Sequence, residues 1–252
     1  MYRVVTQDQA FAEGIDDLLV DLEPTPRPAR VANIIQVVGE PREAKTLYKG
    51  CYRRGSGDGS NGLLTTFITV LNQAAVEEVD QFAVHAAVLA GDDRVIAFPA
   101  ISGGGKTTLA AAGVLAGFSY VSDEALVFDD EGRVIPYPKP MALSAWSCDK
   151  LGLTATGEET LFTTADLGGS PQADRGSLTD VVIAEYGARA LGLERVPSSQ
   201  AVVELIGKSF NHYKDPERAF RLATRAAGET RVWRLDYDDP REAIGLVARE
   251  LG

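Results

Sequence analysis

The feature that most constrains how this chain can fold is a glycine-rich segment, FPAISGGGKTTL, at residues 98–109. The pattern of a phosphate-binding loop (P-loop) is G-x-x-x-x-G-K-[ST], and Gly105, Lys106 and Thr107 fit its second half. Ala100 stands where the pattern has its first glycine, and alanine is tolerated there if the backbone keeps a negative φ. Such a loop needs a strand before it and a helix after it, so the segment predicts a strand–turn–helix unit.

Hydrophobic patterning supplies the flanking elements. Residues 81–90 form an apolar run of strand length, Gly91-Asp-Asp is a turn signal, and residues 94–99 form a second strand, which together predict a hairpin that leads into the loop. Good helix formers fill residues 106–117, and a glycine closes them. Further strands are predicted at 118–121, 125–128, 133–136, 180–184 and 231–237, and further helices at 199–213, 216–228 and after Asp239-Pro240. Strands that alternate with helices predict an α/β fold.

The N-terminal part has a different character. Residues 23–33 carry three prolines and predict an extended connection, and residues 51–62 are rich in Gly and Ser and predict a flexible loop. A strand is expected at 34–38 and a helix at 63–77. These patterns predict a small, irregular, β-leaning N-terminal region at 1–77 and a larger domain at 78–252.

Composition narrows the function classes. The chain has 36 Asp and Glu against 25 Lys and Arg, a net charge of −11, which argues against a nucleic-acid partner. Cys51 and Cys148 lie far apart and outside any C-x-x-C pattern, so neither a disulfide framework nor a zinc site is expected. No secretory signal pattern begins the sequence and no apolar stretch reaches membrane-spanning length, so a cytoplasmic protein without a membrane partner is predicted.

The chemistry of the loop follows from its residue types. Backbone N–H groups of a glycine-rich turn surround a phosphate, a lysine reaches the β- and γ-phosphates, and the following hydroxyl binds Mg²⁺. The ligands that this motif predicts are ATP and Mg²⁺. The predicted nucleotide-binding residues are Ser102, Gly103, Gly104, Gly105, Lys106, Thr107 and Thr108.

Three further residues are candidates for phosphoryl transfer. Asp123 and Glu124 end the strand predicted at 118–121, where a P-loop sheet places its metal-binding and nucleophile-orienting groups. The hairpin would place His85 beside the strand that feeds the loop, where it could contact and tune Asp123. A solvated acidic pair and a core histidine are the alternatives. The segment Tyr137-Pro-Lys-Pro140 could stiffen a substrate loop and Lys139 could contact phosphate, but a plain connector after a hairpin is the preferred interpretation.

Residues 84–128, VHAAVLAGDDRVIAFPAISGGGKTTLAAAGVLAGFSYVSDEALVF, resemble the HPr kinase/phosphorylase family and its shorter HPr-kinase-like relatives. In that family a histidine-bearing strand precedes the P-loop strand, and a later strand ends in an acidic pair. The shorter relatives often carry Pro-Ala-x-Ser-Gly at the start of the loop, so Ala100 resembles a feature of that branch. The segment FNHYKDP, residues 210–216, also resembles this branch.

The resemblance implies a P-loop kinase core of the HPr-kinase/PEP-carboxykinase-like type. It also implies transfer of the ATP γ-phosphoryl group to an alcohol, and the first candidate for this acceptor is a serine hydroxyl of a peptide or protein. It implies that Asp123 is the catalytic base and that His85 is its partner. It also implies that Glu124 joins Thr107 on the metal side, that Lys106 keeps its P-loop role, and that the chain associates into homo-oligomers. The family's long C-terminal signature stretch is not found in this sequence, so the resemblance supports neither a dephosphorylation activity nor HPr as the substrate, and both questions stay open. Two alternatives stay open, a kinase of a small hydroxylated metabolite and a nucleotide-binding regulatory ATPase without an acceptor.

Overall fold

The computed structural model describes residues 2–6, 9–22, 33–38, 45–48, 51–54, 60–172, 174 and 176–251, and over these ranges the protein is mixed α/β. The strands are β1 (Tyr2–Thr6), β2 (Asn33–Val38), β3 (Lys45–Tyr48), β4 (Cys51–Arg54), β5 (Ala83–Gly91), β6 (Arg94–Pro99), β7 (Ser119–Ser122), β8 (Ala125–Phe128), β9 (Arg133–Ile135), β10 (Met141–Ser144), β11 (Glu159–Phe162), β12 (Gly176–Ser177), β13 (Asp180–Tyr186), β14 (Gly192–Arg195) and β15 (Arg231–Tyr237). The α-helices are α1 (Gln9–Leu18), α2 (Ser60–Glu78), α3 (Lys106–Leu115), α4 (Ala145–Leu151), α5 (Ser198–Gly207), α6 (Pro216–Glu229) and α7 (Pro240–Leu251).

A mixed, nine-stranded sheet forms the centre of the molecule, in the order β12-β9-β8-β5-β6-β13-β15-β14, with β7 also paired to β5. Strand β6, which leads into the glycine loop, is antiparallel to β5 on one edge and parallel to β13 on the other. The second edge of β5 is shared, because β8 pairs with residues 83–85 and β7 with residues 88–90. The chain crosses from β7 to β8 at Asp123 and Glu124.

Helices cover both faces of this sheet. Along β6, Ile96 and Phe98 belong to one hydrophobic cluster with α3, α4 and α7, while Val95 and Ala97 belong to a second cluster with α5 and α6. Burial on both faces explains why β5 and β6 are continuous apolar runs without a polar alternation. Helix α3 lies very close to β5, since a Cβ on Gly113 would lie 2.1 Å from the Leu89 Cδ1 atom.

The N-terminal part has its own sheet and core. Strands β1–β4 form a four-stranded sheet in chain order, and α1 and α2 pack against it. Phe11 of α1 and Phe67 of α2 meet edge to face with ring centroids 5.7 Å apart, within a cluster that also buries Ile35. This cluster is separate from the two that flank the nine-stranded sheet.

Most predicted elements are present, with two corrections. The helix predicted at 199–213 ends at Gly207, because the chain then runs beside β5, where His85 N donates to Lys208 O at 2.8 Å and Phe210 N to Ala83 O at 3.0 Å. Residues 51–54 were predicted as loop but form β4, because they pair with β3 as an antiparallel edge strand of the N-terminal sheet. Two further ends differ from the prediction, because Asn33 of the extended connection begins β2 and residues 60–62 of the loop begin α2. Residues 23–32 of the connection and 55–59 of the loop lie outside the described residues. None of the helices in the described ranges combines the length and hydropathy needed to cross a membrane.

Candidate functional site

The glycine loop, residues 100–105, joins β6 to α3 and depends on all three of its glycines. Gly103 and Gly105 have φ values of 78° and 77°, in the left-handed region that residues other than glycine rarely adopt. A Cβ on Gly104 would lie 2.9 Å from the Ala100 Cβ atom. Ala100 itself is not among the residues with positive φ, so the alanine fits the loop without backbone strain.

Lys106 opens helix α3 and is held inside the loop. Its ammonium donates a hydrogen bond to the Ile101 carbonyl oxygen at 2.8 Å, and its side chain is buried. Burial lowers the pKa of Lys106, an effect that the carboxylates of Glu124 and Asp123 partly oppose. Two other predicted nucleotide-binding residues have different surroundings. Ser102 of the loop is exposed, and the hydroxyl of Thr108 in α3 shares a 2.9 Å hydrogen bond with Ser147 of α4.

Asp123 lies beneath the loop, where it is surrounded by donors. The Tyr120 hydroxyl donates to its Oδ1 atom at 2.6 Å, and the Lys139 Nζ atom lies 2.7 Å from the same oxygen. The Thr107 side chain is close enough to add to the lowering of the pKa of this carboxylate. Burial by itself would raise the pKa of Asp123, but Lys139 and these hydrogen bonds outweigh it and hold the pKa below its usual value. Asp123 is therefore an ionised carboxylate at neutral pH, and its Oδ1 atom contacts both Tyr120 and Lys139.

Thr107 follows Lys106 in the first turn of α3, and Asp123 follows β7, which β5 separates from β6. A hydroxyl after the loop lysine together with an acid from another strand is a set of Mg²⁺ ligands used in P-loop NTPases. Both supply oxygen atoms, the ligand type that Mg²⁺ prefers. In the described part of the chain no cluster of three or more His, Cys, Asp or Glu residues could form a protein-only metal cage. The residues present thus fit a metal that keeps water and phosphate oxygens among its ligands.

Glu124 points away from Asp123 and contacts different partners. Its Oε1 atom lies 3.5 Å from the His85 Nε2 atom, and its Oε2 atom accepts from Asn72 Nδ2 at 3.5 Å. His85 also packs against the Phe210 ring, with centroids 4.9 Å apart. The sheet register explains the contact, because His85 pairs with Ala125, the residue directly after Glu124. His85 is thus brought to Glu124, whereas the sequence prediction placed it against Asp123.

Three residues around the acids were missed in the sequence. Lys139 belongs to the segment interpreted as a plain connector, Tyr120 lies on β7, and Asn72 belongs to α2 of the N-terminal part. Asn72 also accepts a hydrogen bond from the Tyr137 hydroxyl at 3.0 Å. The one local signal is a lysine between two prolines, and it does not predict burial. The site therefore combines elements that lie far apart in the sequence.

A cavity of about 650 Å³ opens beside the glycine loop. The loop itself forms one wall, and the opposite wall comes from the ends of β13 and β15 and from α4. Three aromatic residues line it, Trp146, Tyr186 and Tyr237. Neither Asp123 nor Glu124 is among the lining residues.

No protein-family model matches the sequence, and a search of curated proteins finds no match either. The resemblance to HPr-kinase-like proteins therefore depends on the residues of this chain alone.

Proposed function

We propose that this protein is a Mg²⁺- and ATP-dependent kinase with a P-loop kinase core, which transfers the γ-phosphoryl group to an alcohol, a serine hydroxyl of a peptide or protein being the first candidate. The observation that carries the proposal is the buried Asp123 carboxylate close to Thr107, which follows Lys106 at the start of the helix behind the glycine loop. A glycine-rich turn that binds nothing has no need of a buried carboxylate near this hydroxyl, whereas metal-assisted phosphoryl transfer uses such a pair.

On the phosphate side, the amides of the glycine loop and the start of α3 favour anionic oxygens, and Lys106 adds a positive charge. Thr107 and Asp123 would hold Mg²⁺, which supplies neutralisation of the phosphate charge when it is bound. Asp123 is less suited to the role of base that the resemblance implies, because it is buried and its Oδ1 atom already contacts the Tyr120 hydroxyl and the Lys139 ammonium.

On the acceptor side, Glu124 is the better candidate for the base. It is partly exposed and is paired only loosely, with His85 and Asn72 both at 3.5 Å. The acceptor oxygen forms a bond to the γ-phosphorus, the bond from that phosphorus to the β–γ bridging oxygen breaks, and the acceptor proton passes to the Glu124 carboxylate. His85 is placed to hold this carboxylate in position.

The test is a search for the acceptor. The protein is incubated with Mg-ATP and an extract of its host, and phosphorylated species are compared by mass spectrometry with a Lys106→Ala control. A new phosphopeptide or phosphorylated metabolite identifies a kinase and its acceptor class. Release of phosphate without a new species would instead favour a regulatory ATPase, and turnover that persists in Lys106→Ala would contradict the P-loop assignment.

A matched pair of near-isosteric variants separates the two acids. Glu124→Gln should keep the affinity for Mg-ATP and lose transfer by about 100-fold or more, the usual contribution of a general base. Asp123→Asn should weaken the Mg²⁺-dependent part of nucleotide binding. If Asp123→Asn instead keeps the Mg-ATP affinity and only transfer is lost, Asp123 is the base, as the resemblance implies.

A further inference from the structure

The aromatic cavity adjoins the glycine loop, and most of its wall comes from the β13 and β15 side of β6. Strand β6 pairs with β5, which carries His85, on one edge and with β13 on the other. The cavity lies over the ends of β13 and β15, and Gly103, Gly104 and Gly105 line it directly. A ligand with phosphates on the glycine loop can therefore extend into the cavity without approaching Glu124.

Large aromatic side chains in the cavity wall are unusually exposed. Trp146 and Tyr186 are 46% and 53% exposed, and their ring centroids are 5.6 Å apart in an edge-to-face arrangement. Tyr186 meets the buried Tyr237 at the same centroid distance. The Tyr237 hydroxyl reaches the loop, since it lies 3.0 Å from where a Cβ on Gly105 would be. These rings form a continuous surface from the glycine loop to solvent, which suits a flat aromatic ligand.

Two carboxylates in the cavity lining could accept hydrogen bonds from a bound base. Glu185 lines the cavity beside Tyr186, and Glu204 lines it while it is paired with Lys208. Carboxylate oxygens accept hydrogen bonds, and both purines carry exocyclic or ring N–H donors, depending on the base. The volume lies within the range of ligand pockets that enclose most of a nucleoside-sized molecule.

We infer that this cavity binds the purine base of a nucleotide whose phosphates occupy the glycine loop, with Tyr186 and Trp146 as its stacking surface. The inference rests on the proposed function, because it requires that the loop binds phosphates. The acceptor is the other conceivable occupant, because Lys208 lines the cavity and its carbonyl oxygen accepts from His85 N. The aromatic wall that adjoins Gly103, Gly104 and Gly105 favours the base.

The experiment compares the full chain's affinity for ATP, GTP, CTP and inorganic tripolyphosphate by calorimetry in the presence of Mg²⁺. Tripolyphosphate engages the loop without a base. Stacking on an aromatic side chain predicts that ATP or GTP binds roughly five- to 100-fold more tightly than tripolyphosphate. Tyr186→Ala should remove most of this difference and leave tripolyphosphate affinity unchanged, and Tyr186→Phe should keep it. Tyr213→Ala is the matched control, because Tyr213 is an exposed tyrosine outside the cavity.

Failure of the inference and failure of the proposed function give different results. Equal affinities for ATP and tripolyphosphate, with Tyr186→Ala unchanged, would overturn the base site and leave the phosphate loop intact. CTP binding as tightly as ATP and GTP would overturn the purine assignment. Binding of neither ATP nor tripolyphosphate, or tripolyphosphate binding that Lys106→Ala does not weaken, would contradict the proposed function itself.

Discussion

The Lys139 ammonium lies 2.7 Å from the Asp123 carboxylate, and the two side chains are only 4% and 2% exposed. Lys139 also donates to the Pro140 carbonyl oxygen, and Asp123 accepts from Tyr120, so both ends of the pair have further hydrogen bonds. A buried ion pair of this kind contributes little to the free energy of unfolding. The removal of one partner is nevertheless strongly destabilising, because it leaves a buried charge without a counter-charge. The segment around Lys139 thereby becomes part of the site.

Lys139→Met should lower the free energy of unfolding by about 3–5 kcal/mol, because the Asp123 carboxylate would stay buried without its cation. Urea unfolding at pH 7 measures the change. The double variant Asp123→Asn with Lys139→Met should be less destabilised than the sum of the single variants, since the uncompensated charge is then absent. A Lys139→Met protein as stable as the wild type would show that the pair makes no such contribution.

The stability contributed by Asp123 should depend on pH in the acidic range. Its folded pKa is held below the unfolded value, which is about 3.9, by Lys139 and the hydrogen bonds despite the opposing effect of burial. A carboxylate with a lowered pKa stabilises the fold above the unfolded pKa, and this contribution is lost as the pH falls through the folded pKa. Urea midpoints from pH 7 to pH 3 should therefore fall more steeply in the wild type than in Asp123→Asn. Parallel curves would refute the assignment.

Gly105→Ala should weaken Mg-ATP binding by about tenfold or more while the protein still folds. The left-handed backbone at φ 77° costs an alanine about 1–2 kcal/mol, and the new Cβ would meet the Tyr237 hydroxyl at 3.0 Å. Calorimetric titration with Mg-ATP and a thermal unfolding curve separate the two effects. Gly228→Ala in α6 is the matched control, because nothing lies within 4 Å of its Cβ and alanine favours the helix. Wild-type affinity in Gly105→Ala would show that the loop tolerates another conformation.

Asn211 should be a structural anchor for the start of β5. Its side chain accepts from Ala83 N at 3.1 Å and donates to Val79 O at 3.1 Å and Gln81 O at 2.8 Å. Asn211→Ala should destabilise the protein by about 1–3 kcal/mol for each of these groups that stays buried without a partner. The neighbouring His212 is exposed, so His212→Ala should change stability by less than about 0.5 kcal/mol. Equal unfolding free energies for the two variants would contradict the anchoring role.

The sequence predicted those helices and strands whose ends are marked by turn residues or glycine next to an apolar run. The hairpin of β5 and β6, the start of α3 and the strand β15 follow from apolar runs bounded by turn residues and glycine. The end of α5 at Gly207 was not predictable, because the pairing of the following residues with β5 overrides their helical pattern. In the same way, the contact of His85 with Glu124 depends on the register between β5 and β8. Lys139 and Asn72 reach the acids only through tertiary packing, which leaves no local signal.

The position of β6 between β5 and β13 has a consequence for the direction of attack. If a nucleotide extends from the glycine loop towards Tyr186 and an acceptor approaches past His85, the two molecules meet the terminal phosphorus from opposite sides. Entering and leaving oxygens would then be collinear, the geometry that in-line displacement requires. The order of three neighbouring strands would thus determine the stereochemical course, with inversion at phosphorus as the expected outcome for a single transfer.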